Sequence, residues 1–225
     1  MPYHRSLLAS FLVPERGIGG IKIKVGQPDP TVDLERVRAV HQRIDGRAHL
    51  MIDANQQWDR VTAQRFGKQV EELNLTWIEE PLDAYDAEGH ALLAAMLDTP
   101  IATGEMLTSV AEHWELIRQR SVDFIQPDAP RVGGITPMLK IMALADQARL
   151  RMAPHFAMEI HLHLAAAYPH EPWVEHFEWL EPMFNERLTI EGGRMQVPNR
   201  PGFGFSLSEQ ARRWTAERAT FGRRP

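Results

Sequence analysis

The sequence predicts an α/β fold, a (β/α) barrel of the TIM type, and three observations predict it. Short β-branched or apolar runs alternate with longer amphipathic stretches, in the manner of repeated βα units. The longer stretches repeat apolar residues at three and four positions, the period of a helix packed on one face. Each predicted strand ends on a charged or ionisable residue, which is where a parallel barrel builds its site. The chain has 225 residues, 44% hydrophobic and 24% charged, enough for one globular domain with a large core.

Taken in order, the predicted strands are residues 21–24, 50–53, 76–80, 100–105, 123–128, 151–155 and 173–177. Between them the helical pattern covers 32–44, 60–73, 87–97, 110–120, 135–148 and 158–168. Seven strands are one short of a closed barrel, so the barrel is expected to be incomplete at its first strand. Before the first predicted strand, Arg5 and the apolar run 6–13 look like a short secretory segment. That run meets Pro14-Glu15-Arg16-Gly17 with no small-residue cleavage site, so a strand or helix remnant at 7–13 is expected instead. Residues 1–178 read as the barrel domain and 179–225 as a C-terminal extension. In the extension, Glu191-Gly192-Gly193-Arg194 forms a hairpin turn and 208–219 a final helix.

Composition narrows the function. The formal charge is −5 with acids and bases interspersed, so the basic stripe of a nucleic-acid-binding protein is missing. No stretch reads as a membrane span. With no cysteine, disulfides, thiolate nucleophiles and sulfur-bound metals are excluded, which leaves oxygen or imidazole ligands and makes the cytoplasm the expected compartment.

The ionisable residues at the strand ends are Lys22 and Lys24, Asp53, Glu79, Glu105, Asp128, His155 and Glu175. From Lys24 onward they are separated by 29, 26, 26, 23, 27 and 20 residues, about one βα unit each, so a barrel aims them into one mouth. Strand alternation points Lys22 and Lys24 the same way, and crowding two ammonium groups is expected to lower a lysine pKa and ready one as a base. Asp53, Glu79 and Glu105 form an all-oxygen set suited to Mg²⁺. The ordinary alternative, in which each acid caps a helix or pairs with a surface base, does not account for their regular spacing. Asn55 reads equally as a turn residue or as a polar group near the metal. Asp128 on the neighbouring strand fixes one nitrogen of His155 and leaves the other as a base. His161, His163, His170 and His176 read as ordinary histidines satisfied by backbone carbonyls. With Mg²⁺ the three carboxylates leave a charge of about −1, and the two lysines bring it to about +1, ready for an anionic substrate.

The series Lys-x-Lys, Asp-x-Asn, Glu-Glu-Pro, Gly-Glu, Pro-Asp and Pro-His, closed by Glu175, resembles the mandelate racemase subgroup of the enolase superfamily in order and spacing. Within that subgroup, residues 24–28, 53–59, 79–90 (EEPLDAYDAEGH), 103–108, 126–134 (QPDAPRVGG) and 153–164 (APHFAMEIHLHL) are similar to the L-talarate/galactarate dehydratases. The resemblance runs from about residue 17 to the C-terminus. It implies an acid-sugar (aldarate) dehydratase in which Mg²⁺ on Asp53, Glu79 and Glu105 binds the substrate carboxylate and stabilises an enediolate. It also implies that Lys24 and the Asp128–His155 pair are opposed bases, that loss of the β-hydroxyl gives a 3-deoxy-2-keto aldarate, and that epimerisation shares the intermediate. Lys22, Asn55 and Glu175 would face the substrate. Lys22 would neutralise its carboxylate and lower the pKa of Lys24, and Glu175, if held protonated, would donate to the developing oxyanion.

The resemblance further implies a homo-oligomer and an N-terminal α+β capping domain, towards which 179–225 would pack and of which this chain is expected to have none. Two other readings use the same residues: a 2-hydroxy-acid racemase or epimerase, distinguished by product, and a cap-less fragment that binds metal without turnover. A Schiff-base aldolase would have no need of the carboxylate triad.

Overall fold

The computed structural model describes residues 17–217 and 219. Six parallel strands alternate with six helices, and every strand pairs with the next in sequence. In chain order these are β1 (Gly20–Lys24), α1 (Pro30–Ile44), β2 (His49–Asp53), α2 (Arg60–Val70), β3 (Ile78–Glu79) and α3 (Ala87–Met96). They continue with β4 (Ile101–Thr103), α4 (Val110–Gln119), β5 (Phe124–Ile125), α5 (Ile135–Gln147), β6 (Arg151–Met152) and α6 (Met158–Ala166). The expected 7–13 remnant lies outside the described residues.

Local chemistry sets the helix starts. Asp29, Asp59, Asp86 and Ser109 each accept a backbone N–H of the first turn of α1, α2, α3 and α4, which satisfies a donor the helix cannot. Alternation along the strands then separates two environments. Ile21, Ile23, Leu50, Ile52 and Ile78 face outward and pack with Val37, Val40, Phe66 and Val70 of the helices. Met51, Trp77, Ala102, Phe124 and Ala153 form a second, inner cluster with Trp173 against it. This inner cluster fills the barrel below the polar layer.

The structure differs from the predicted elements in three places. Residues 173–177 form no strand. A bond from the Trp173 N–H to the Met152 carbonyl (3.0 Å) ties this segment to β6, and the Trp173 ring meets His49 edge-on at 5.2 Å, beside β2. The segment therefore fills the gap between β6 and β1, the two ends of the sheet, by one backbone bond to β6 and by side-chain packing on the β1 side. The expected strands 76–80, 100–105, 123–128 and 151–155 are all shorter, and past the ends of the last three Glu105, Asp128 and His155 stand in the loops just beyond β4, β5 and β6. The last helix, α7 (Glu209–Arg213), is a short part of the expected 208–219, with Ser208 as its cap, accepting the Ala211 N–H, where the expectation had it inside the helix. Before it come a 3₁₀ turn at Glu178–Met183 and the hairpin β7 (Ile190–Glu191) and β8 (Arg194–Met195), with Gly192 and Gly193 at φ 56° and 78° in the turn. Among the described residues, no helix is long and apolar enough to cross a membrane.

Candidate active site

Parallel register places the first ionisable residues in one row, Lys24 beside Asp53 and Asp53 beside Glu79. Asp53 and Glu79 are fully buried and Glu105 nearly so. The Lys24 ammonium bonds Asp53. Lys22 bonds Glu79 and also lies 3.6 Å from Asp53 and 2.5 Å from Glu175. The two lysines thus reach into a ring of carboxylates, which for Lys22 outweighs the crowding of two ammonium groups. Burial opposes the charge on Lys22, but Glu79, Glu175 and Asp53 outweigh it and hold the group above the ordinary lysine range.

The carboxylates divide according to their neighbours. Burial pushes Glu79 up to about 8 even though Lys22 opposes it. Asp53 stays below the usual range, because Lys22 and Lys24 overcome the effect of burial. Glu175 is also held down: burial would raise it, but Lys22 and the Phe156 N–H (2.6 Å) favour the anion. In this arrangement Glu175 accepts the Phe156 N–H, and the protonated state on which its role as a donor depended is disfavoured.

Beyond β5 and β6, His155 donates from Nδ1 to Asp128 Oδ2 at 2.9 Å. Its Nε2 is left facing Glu105 Oε1 at 3.6 Å. Burial disfavours the charged ring, but Asp128, Glu105 and Glu175 win and raise its pKa. Asn55 has φ 43°, and its N–H donates to Asp53 Oδ1 at 2.9 Å, so its backbone is a turn that orients a carboxylate. His163 bonds the Phe203 carbonyl, as an ordinary histidine should, whereas His170 pairs with Asp146 at 3.1 Å and not with a carbonyl.

Several residues of the site were not singled out in the sequence. Trp77 Nε1 and Gln126 Nε2 both donate to Glu79 Oε2, at 2.9 and 2.7 Å. Each lies two residues before a chosen acid, so the strand period alone would have found them. Glu80, raised to about 7 by burial and by Glu105, accepts from the Gln56 side chain, which also accepts the Ala84 N–H. Gln56 thereby ties the loop after β2 to the loop after β3.

Asp53 and Glu79, side by side with ammonium groups against them, and buried Glu105 beyond β4 offer oxygen alone, the donor chemistry that fits a hard divalent cation such as Mg²⁺. Among the described residues, the group of three whose ligand atoms all lie within 4.8 Å of one another is a different one, His176, Glu178 and Glu181, with Glu178 exposed.

Parallel βα units with acids, lysines and a carboxylate-held histidine at the strand ends define a barrel of the enolase type, and a family comparison agrees. Residues 7–211 match the enolase C-terminal domain-like family, and the chain belongs to it. It is 64% identical over 211 residues to the L-talarate/galactarate dehydratase of Salmonella typhimurium, covering 94% of this chain and 53% of that protein. It is 32% identical to the arabinonate dehydratase of Saccharolobus solfataricus, over 86% of this chain and 54% of that protein. The chain therefore spans about half the length of these curated relatives. The crystal structure of L-talarate dehydratase from Polaromonas sp. JS666, complexed with Mg and L-glucarate, superposes with a TM-score of 0.96 at 63% identity. That match covers all of this chain and 60% of the other.

Proposed function

We propose that the chain carries the catalytic barrel of a Mg²⁺-dependent aldarate dehydratase acting on L-talarate and galactarate. The observation that carries this reading is the Asp128–His155 pair, with His155 Nε2 within 3.6 Å of the ligand candidate Glu105. A base beside a carboxylate set suits removal of a proton α to a carboxylate. The high identity to a protein of that activity supports the substrate class.

Asp53, Glu79 and Glu105 would hold Mg²⁺, which when bound supplies Lewis-acid stabilisation of the negative charge that develops on the substrate carboxylate. Lys22, kept cationic by the carboxylates around it, adds a fixed positive charge at the same place. Lys24 and His155 serve as the two bases. One takes the α-proton and leaves an enediolate, whose electron pair then forms a C=C bond as the β C–O bond breaks. The departing hydroxide takes a proton from the other base and leaves as water, and the enol tautomerises to the 3-deoxy-2-keto aldarate. Return of a proton to the opposite face gives the epimer. Asp128 keeps the His155 tautomer that leaves Nε2 free, and Asn55 and Glu175 border the substrate.

The test is proton NMR of galactarate and of L-talarate with the 225-residue chain and Mg²⁺ in D₂O, beside His155→Ala. Deuterium incorporation or a 3-deoxy-2-keto product, reduced about 10²–10⁴-fold in the variant, is expected. A folded, Mg²⁺-binding chain that yields neither would overturn the reading.

A further inference from the structure

His161 is fully buried, and both of its ring nitrogens are engaged across two loops. Its Nε2 accepts the N–H of Ala129, the residue after Asp128, at 2.9 Å. That leaves Nδ1 as the protonated nitrogen, and it donates to the carbonyl of Phe156, the residue after His155, at 3.0 Å. One neutral ring therefore joins the backbone beside each member of the Asp128–His155 pair. Burial agrees with this state, since it holds the His161 pKa below the ordinary range.

The chain needs holding at this place. Phe156 and Ala157 are consecutive non-glycine residues at φ 55° and 25°, a left-handed conformation that persists where surrounding contacts over-determine it. The Phe156 N–H is taken by Glu175 and its carbonyl by His161, so the turn that aims the His155 side chain is clamped on both sides. On the other loop, Asp128 Oδ1 accepts the Arg131 N–H at 3.0 Å, which turns Oδ2 towards His155. Among these contacts, His161 ties the Asp128 loop to the backbone of the His155 turn.

We propose that His161 is a positioning residue that sets the distance and angle between Asp128 and His155, and through them the aim of the His155 base. This rests on reading His155 as a base.

The test uses the full 225-residue chain and the variants His161→Leu, His161→Gln and His161→Asn. Leu removes both bonds, Gln keeps an acceptor near Nε2, and Asn keeps a donor near Nδ1. The first readout needs no turnover. In ¹⁵N-resolved NMR the unaltered chain shows His161 as the neutral Nδ1–H tautomer and the His155 Nδ1–H proton protected by Asp128. In the Leu variant, folded by circular dichroism, that His155 proton exchanges with solvent and is lost, and Gln or Asn recovers it in part. The second readout is α-proton exchange in D₂O. The epimer whose proton faces His155 loses about a hundredfold, while the epimer facing Lys24 changes less than about twofold.

Equal loss on both faces, or an unchanged His155 proton in folded Leu variant, overturns the proposal. If Leu does not fold, the Gln and Asn variants are judged by the same two readouts. If the unaltered chain exchanges neither epimer, the dehydratase reading fails for this chain, and the His155 resonance alone decides whether His161 positions the pair.

Discussion

At the scale of single residues, burial and neighbouring charge compete, and the outcome differs along one row of side chains. Without bound metal, folding keeps protons on Glu79, raised to about 8, and on Glu80, raised to about 7, that an unfolded chain has released near neutrality. A group whose folded pKa is raised contributes stability at low pH and loses it as pH climbs through the folded value. His155, also raised, acts in the same direction. His90, His113 and His161, lowered by burial, act oppositely, but their contribution is nearly complete by about pH 7. In chelator, the melting temperature should therefore fall between about pH 7 and 8.5. Mg²⁺ binds the ionised carboxylates, so the stabilisation it adds should grow over the same interval. Differential scanning calorimetry of the chain and of Glu79→Gln checks both statements. The variant should lose most of the Mg²⁺ effect, and a Mg²⁺ shift that does not depend on pH would contradict this account.

At the scale of elements, the turn between β1 and α1 decides where Lys24 sits. Buried Asp33 on α1 accepts the N–H groups of Gly26 and Gln27, both at 2.7 Å, and pairs with Arg36, which bonds the Lys24 carbonyl. Asp33→Ala should cost about 2–3 kcal/mol in urea unfolding, since buried donors are left without their acceptor. Gly26 has φ 102°, and a Cβ there would lie 2.8 Å from Gln57 and 3.0 Å from the Ala54 carbonyl. Gly26→Ala should therefore cost about 1–3 kcal/mol through backbone strain. None of this was read from the sequence. An aspartate in the first turn of a helix looks like an ordinary favourable charge, and its reach back to residue 26 depends on how α1 lies on β1.

At the scale of the whole molecule, the sheet is held into a barrel by a segment that is not a strand. Trp173 packs against the inner cluster and against β1, where a Cβ on Gly20 would lie 3.1 Å from its ring. Lys22 then meets Glu175 across the same gap. Trp173→Ala should destabilise the chain by about 3 kcal/mol. Amide hydrogen exchange should place the loss at β1, with Gly20–Lys24 losing protection while Ile101–Thr103 keep theirs. Uniform loss across the sheet would mean that the segment does not close the barrel.

The repeat of βα units and the ionisable residue at each strand end were legible in the sequence, because both follow from local periodicity and from spacing of about one unit. Those two facts determined the barrel class, the carboxylate set and the Asp128–His155 pair as candidates. Tertiary structure decided the charge states. Lys22 is held up and Glu175 held down, because each pKa sums contributions from side chains on distant segments that no spacing reveals. It also decided that 173–177 closes the gap by packing, and that His161 spans two loops where its sequence context shows only a histidine on a buried helix face. Periodicity fixes which way a side chain points, whereas what it meets there depends on the three-dimensional approach of distant segments.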